Sequence, residues 1–385
     1  MIKEIRLANY KSIQELKIEL GRVTVFIGEN GCGKTNILEA IALSSAAASD
    51  KLDNEFLASR GIRVTEPQFM RSAFNIDNLN KEIKISLQFQ PDKIIAYNLQ
   101  HDGKPYSSWV SSILSNQDIP VKMPILSGYA NLMYEDARNL KEIFSDEVYQ
   151  GVLKVLLETD KDIFNLKSFL IFSPQNSRLR IFNEEGQIQP LGIEGEGLFK
   201  LLTVLNLEEN KGKLQEIKEK MQLIDWFEDL TIPHNLSPAE RVIQIKDKYL
   251  SSELDYFNQN SSNEGFLFLL FYFCLFISDD TPKFFAVDNI DASLNPRLGR
   301  RLIKELVELA KKYDRQVIFT THNPAILDGL NLEDDEQRLF VIYRNKSGYT
   351  KARRISTPKP LEGQEPVRLS EAFLRGYIGG LPKNF

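Results

Sequence analysis

The sequence predicts an α/β fold: a mixed, largely parallel sheet flanked by helices, with an antiparallel β subdomain and a helical insertion between its two halves. Three observations predict it. A continuous apolar strand at Val23–Ile27 runs into a glycine-rich turn and then a helix. From residue 263 to residue 343, apolar strands and amphipathic helices alternate, which is the pattern of a parallel sheet. Between residues 83 and 99, strict apolar–polar alternation marks a half-exposed antiparallel sheet.

In chain order, Ile5 and Leu7 form a first strand, and Leu16, Ile18 and Leu20 alternate with Lys17 and Glu19 in a second. After the glycine-rich turn, residues 35–47 place Ile37, Leu38 and Ile41 at helical spacing without Gly or Pro. Ile83, Ile85, Leu87 and Phe89 then face one way, with residues 94–99 as the hairpin partner. Helical patterns with charged faces occupy residues 134–168 and 198–227, and Pro233, Pro238 and the polar residues 258–262 punctuate the way to the last segment. That segment runs from an apolar helix to a strand at Phe284–Val287, a helix over 297–312, and strands over 317–320 and 339–343. Asn295 caps the 297–312 helix and Pro296 enters its first turn. The two chain ends are expected to share one sheet. Three lobes follow, at residues 1–135, 136–262 and 263–385.

With 385 residues, the chain exceeds the ~250–300 residues that a single core supports. Its 48 Lys and Arg stand against 53 Asp and Glu, and a net charge of −5 supplies no global field for nucleic acid or anionic membrane. Any DNA contact must be local. Two cysteines far apart, Cys32 and Cys274, exclude a disulfide framework and a cysteine zinc site, and suit a reducing, cytoplasmic setting. Met1 is followed by alternating charged and apolar residues, so no secretory signal is expected. The apolar run 266–277 would span only ~18 Å as a helix against a bilayer core of ~30 Å. It is expected to be a buried helix and not a membrane span.

Gly28-Glu29-Asn30-Gly31-Cys32-Gly33-Lys34-Thr35 is a complete phosphate-loop pattern. Its glycines let backbone N–H groups face a phosphate, Lys34 supplies charge to the β and γ phosphates, and Thr35 offers an oxygen to Mg2+. Cys32 is either a small spacer or, near a helix N-terminus, a thiolate. The strand Phe284–Val287 ends in Asp288, the acid that a second Mg2+-holding position needs. The strand over 317–320 ends in Thr321-His322, where an imidazole can meet a γ-phosphate at the carboxyl edge of an open sheet.

These motifs together resemble a family. Ile5-x-Leu7-x-Asn9-Tyr10-Lys11-Ser12, the phosphate loop followed by Asn36, Asp288 running into Asp291-Ala292-Ser293-Leu294-Asn295-Pro296, and Thr321-His322-Asn323-Pro324 resemble the ABC-type ATPases of the SMC, RecF and OLD group. The resemblance spans about residues 1–45 and 260–330. It implies an ATPase head that uses ATP and Mg2+ and pairs with a second copy, each ATP held between one phosphate loop and the other head's signature turn. Carried over, that turn is Ser262-Asn263-Glu264-Gly265, with Asn263 where the family has serine and Gly265 matching. Gln175 in Ser173-Pro174-Gln175-Asn176 corresponds to the family's glutamine loop, or is a surface turn.

After Asp288 the family carries the glutamate that activates the attacking water, and here the residue is Asn289. An amide positions a water but cannot take its proton, so ~10²–10⁴-fold of general-base catalysis should be missing. Asp291 is the nearby carboxylate that could substitute. The 87 residues from Gln175 to Ser262 are too few for a chromosome-spanning coiled coil, and the 63 after His322 too few for a nuclease domain. The resemblance therefore points to the ATPase subunit of a bacterial anti-phage system, paired with a separately encoded nuclease or toxin. A RecF-like DNA clamp is the alternative, supported by Arg297, Arg300, Arg301, Lys351, Arg353 and Arg354, which otherwise form a solvated face. A non-hydrolysing scaffold using ATP as assembly glue is another.

Overall fold

Val23–Ile27 is buried along its whole length, and its side chains enter two different cores: Val23, Val25 and Ile27 one, Phe26 the other. The same parity divides Phe285 and Val287 from Phe284 and Ala286, and Leu339 and Val341 from Phe340 and Ile342. Successive side chains of a strand point to opposite faces, so these strands form a sheet covered on both sides. In this computed structural model the described residues are 1–104, 107–115, 160–182, 191–233, 237, 240–251, 253–357 and 367–381.

The strands, in chain order, are β1 (Glu4–Tyr10), β2 (Ile13–Glu19), β3 (Val23–Ile27), β4 (Ile83–Gln90), β5 (Lys93–Gln100), β6 (Val110–Ser115), β7 (Ile171–Phe172), β8 (Phe227–Thr231), β9 (Gln244–Asp247), β10 (Phe257–Asn258), β11 (Phe284–Val287), β12 (Gln316–Thr321), β13 (Gln337–Arg344) and β14 (Thr350–Ile355). The central sheet has the order β14-β13-β3-β12-β11-β7, parallel throughout except for β14. The N-terminal strand β3 lies between β13 and β12, so the two chain ends share this sheet as expected. On one face the helix Lys34–Ala48 packs beneath the antiparallel sheet β2-β1-β4-β5-β6. On the other lie the helices Leu198–Leu205, Lys211–Met221, Glu264–Ile277 and Pro296–Lys312.

Among the described residues, the middle of the chain is less helical than its patterns suggest. Helices Lys161–Lys167, Leu198–Leu205 and Lys211–Met221 are present, but β8, β9 and β10 add a small antiparallel sheet, and β7 extends the central one. These strands are short, and the register shift between Phe227 and Asp229 breaks the alternation that would betray β8. Most of the pattern over 134–168, and Pro238, lie outside the described residues.

Residues 266–277 form the buried helix expected of them. Asn263 caps it by accepting the Phe266 N–H at 2.8 Å, and a helix apolar on every side must sit inside the protein. Among the described residues no helix is long and apolar enough to cross a membrane. The C-terminal end of this helix is closed by Arg315, which is fully buried. Its guanidinium donates to the carbonyls of Phe276 (3.1 Å), Ser278, Thr281 (2.9 Å) and Pro282 (3.2 Å). A cation there answers the helix's negative end. Burial pulls its pKa down to about 10, so it stays charged at neutral pH. Arg315→Leu strands these carbonyls without water, and we expect it to cost about 3 kcal/mol or more, read as a lower urea midpoint at unchanged m-value. A midpoint equal to wild type would show that this clamp contributes nothing.

Candidate functional site

β3 ends where the chain must turn without side chains in its way. At Gly28 a Cβ would fall 2.1 Å from the Ile342 carbonyl oxygen on β13, and at Gly33, with φ 107°, it would fall 2.1 Å from Thr350 Oγ1 on β14. Only glycine fits both the approach and the left-handed backbone. The loop therefore curls between β13 and the start of the helix Lys34–Ala48. Thr350 Oγ1 donates to the Cys32 carbonyl at 2.8 Å and lies 2.6 Å from Ser12 Oγ, while Asn36 Nδ2 donates to Ser12 Oγ at 2.7 Å. Burial raises the Cys32 thiol pKa, which fits a spacer rather than a thiolate.

Lys34 Nζ donates to the carbonyls of Gly28 at 2.9 Å and Glu29 at 3.1 Å, and lies 3.5 Å from His322 Nδ1. Lys34 is buried, and desolvation lowers its pKa. Desolvation, followed by the Lys34 charge, also lowers the His322 pKa, favouring a neutral imidazole at pH 7.

β11 delivers Asp288 opposite Thr35, whose hydroxyl donates to Asp288 Oδ2 at 3.0 Å. The other carboxylate oxygen accepts the Thr320 hydroxyl from the end of β12. Thr320 Oγ1 in turn accepts the Asn289 N–H at 2.9 Å. Thr35 and Asp288 are hard oxygen donors that fit Mg2+, which habitually takes its remaining ligands from phosphate and water. Among the described residues no cluster of three or more His, Cys, Asp or Glu could hold a metal without such help.

Asn289 is exposed in the left-handed region, φ 57°, which asparagine tolerates. Asp291 Oδ1 is buried without a hydrogen-bond partner, and the Asp291 charge acts on both Lys34 and His322. Gln175 follows β7, whose Phe172 pairs with Val287 and accepts the Asp288 N–H at 2.8 Å, so it lies at the same sheet edge. Its side chain, however, donates to Glu194 Oε1 at 2.6 Å.

The turn at residues 262–265 has different neighbours. Asn263 spends its side-chain oxygen on the helix cap, and Glu264 accepts from Asn176 at 2.8 Å and Ser293 at 2.7 Å. Arg180 donates to the carbonyls of Gln259, Asn260 and Ser262. A Cβ on Gly265 would meet nothing nearer than 3.5 Å.

Thr320 and Thr350 escape a reading by motif, because isolated hydroxyls carry no spacing signal, and Ser12, though part of the opening motif, is given no role by it. Glu39 escapes too, although an acid inside an apolar helical run is a visible anomaly. It is fully buried and accepts from Lys11 Nζ at 2.5 Å and Arg63 Nε at 2.6 Å, tying the β1–β2 turn and the 60–63 loop to the phosphate-loop helix.

A family model described as an AAA ATPase domain matches residues 1–260. A second AAA domain model, whose description names AbiEii toxin and a type IV TA system, matches residues 227–328. An uncharacterised protein of Methanocaldococcus jannaschii is 27% identical over 202 residues, covering 43% of this chain and 90% of that protein. The DNA replication and repair protein RecF of Clostridium kluyveri is 23% identical, with 58% of this chain aligned to 57% of RecF. The OLD nuclease of Thermus scotoductus is 30% identical over 87 residues, 20% of this chain and 16% of the nuclease. The chain thus spans little more than half of that RecF and a small part of that nuclease. In fold it is similar to an SMC head crystallised with the C-winged helix domain of ScpA, at a TM-score of 0.56 and 16% identity over 92% of this chain and 98% of the other.

Lys34→Ala is expected to weaken ATP binding about a hundredfold, because a charged donor to phosphate is worth ~1.5–3 kcal/mol. The fold should persist, since the change removes a buried charge. Calorimetry showing unchanged ATP affinity would exclude the phosphate-binding role.

Proposed function

Because the chain belongs to the AAA ATPase domain family, within the SMC, RecF and OLD group of ABC-type ATPases, we propose that it binds ATP and Mg2+ at residues 28–36, hydrolyses ATP slowly, and pairs head to head around the nucleotide. In this reading it is the sensor or regulatory subunit of a separately encoded nuclease or toxin in anti-phage defence. The observation that carries the enzymology is Asn289, exposed next to the Thr35–Asp288–Thr320 bridge where the group places its glutamate.

The roles follow from chemistry. Backbone N–H groups of the loop and the Lys34 ammonium bind the phosphates. Mg2+, held by Thr35 and Asp288, would neutralise phosphate charge. A neutral His322 beside Lys34 can donate one hydrogen bond to a γ-phosphate oxygen, while Asn289 orients water without accepting its proton. Since Asn263 is occupied as a cap, a second copy's phosphate would be met by the N–H groups of the first turn of Glu264–Ile277. Support for a role in a toxin-linked system comes from the family model over residues 227–328, whose description names AbiEii toxin and a type IV TA system.

A second reading, a RecF-like DNA clamp, is favoured by the RecF similarity and by exposed Arg297 and Arg301, which line a 570 Å³ cleft with Asn263 and Gly265. A steep fall of DNA affinity with salt would select it.

Asn289→Glu is expected to raise turnover at least tenfold by restoring a proton acceptor at the water position. A flat rate, with basal activity lost in Asp291→Ala, would move that role to Asp291. Gly265→Arg should block ATP-dependent pairing in light scattering while leaving ATP affinity intact, because a Cβ at 265 sits at ordinary contact distance within its own chain and the long side chain would hold a second copy's surface away. Pairing insensitive to that substitution would rule out residues 262–265 as the contact.

A further inference from the structure

A nucleotide held by its phosphates leaves its base one ribose away, and beside the phosphate loop the structure has an aromatic pair, exposed Phe74 and half-buried Tyr349. Phe74, 50% exposed, meets Tyr349 edge-on with ring centroids 5.5 Å apart at 81°. Phe74 belongs to the connection between the phosphate-loop helix and β4, and Tyr349 to the β13–β14 turn, so two distant chain segments build this surface. Arg344 fastens it to the loop: its Nε donates to the Gly31 carbonyl at 2.8 Å, its Nη1 to the Gly348 carbonyl at 3.1 Å, and its guanidinium lies 5.5 Å from the Phe74 ring centre.

Tyr349 is rigidly presented. Asn345 Oδ1 accepts the N–H groups of Ser347 at 3.1 Å and Tyr349 at 2.9 Å, and the Asn345 N–H donates to the Tyr349 carbonyl at 2.9 Å. The next residue, Thr350, donates to the Cys32 carbonyl inside the phosphate loop at 2.8 Å. Ordering costs are therefore already met before a ligand arrives. Tyr349 and the Arg344 guanidinium brace the Phe74 ring beside the phosphate loop while half of it stays exposed, which leaves surface on which a nucleobase can stack.

We propose that Phe74 and Tyr349 form the nucleobase platform of this site, taking a purine whose phosphates lie in residues 28–36. The inference rests on the phosphate-loop reading above. The larger π-face of a purine stacks more strongly, so ATP and GTP bind similarly and CTP and UTP several-fold more weakly. Arg344 makes the platform and the Gly31 carbonyl move together, so the occupied base site also stiffens the tip of the loop.

The test separates base from phosphate by titrating the full chain with ATP and with inorganic tripolyphosphate, which has no base. Phe74→Ala should weaken ATP about tenfold, as expected for loss of a base–aromatic stack, Tyr349→Ala should weaken it several-fold by releasing the Phe74 ring it meets edge-on, and both should leave tripolyphosphate unchanged. Ile76→Ala, at a neighbouring residue 77% exposed, should change neither. If the two ring variants lower both affinities equally, or neither, the platform is wrong. Tripolyphosphate binding that ignores Lys34→Ala overturns instead the phosphate-loop reading beneath it.

Discussion

One carboxylate holds the carboxyl edge of the central sheet together. Asp288 accepts from Thr35 on the phosphate-loop helix and from Thr320 on β12, and Thr320 accepts from the Asn289 backbone. Three elements from opposite ends of the chain are thus registered by hydrogen bonds to one side chain. A charged acceptor makes such bonds roughly twice as strong as neutral ones. Lys34, His322 and Asp291 are placed relative to this bridge, because each leaves an element that the bridge has already positioned.

The bridge can be built only because the sheet is buried on both faces. With one set of side chains facing the helical layer and the other facing Lys34–Ala48, a one-residue slip of β3 against β12 would exchange the two cores. Register is therefore set by hydrophobic parity along whole strands, and the polar residues at the strand ends inherit their alignment from it. Glu39 does the same for the other face. Buried with Lys11 and Arg63, it is compensated by two cations and fixes how the antiparallel sheet's first turn approaches the loop.

The charges at the edge sort into two kinds. Lys34 and His322 are both pushed toward their neutral forms by desolvation, yet Lys34 remains near Asp288 and Asp291, whose charges oppose that shift. Such a pocket is poised for an incoming anion, which would restore what burial removed. The turn at 262–265 is tied through Glu264 to Asn176, just after β7, and to Ser293, just after Asp291, so it reaches the same edge through both segments.

The sequence by itself determined the fold class, the phosphate loop and the acid-ended strand, because these rest on local signals: a glycine-rich turn flanked by a strand and a helix, uninterrupted apolar runs, a capped amphipathic helix. The sharing of one sheet by both chain ends was also legible, since a strand buried on both faces needs parallel neighbours. Tertiary structure alone decided the rest. The small sheet β8–β10 hid behind a bulge, and β7, two residues long, has no periodicity to read. The hydroxyls of Ser12, Thr320 and Thr350 lie far from the loop in sequence and act only where folding brings them. The family resemblance set Asn263 at the serine position of the signature turn and Gln175 in the glutamine loop or a surface turn, but neither side chain's partner was legible: in the fold Asn263 caps a helix and Gln175 bonds to Glu194. A side chain's identity is written in the chain, but its hydrogen-bond partner is chosen by whichever neighbour the packing supplies.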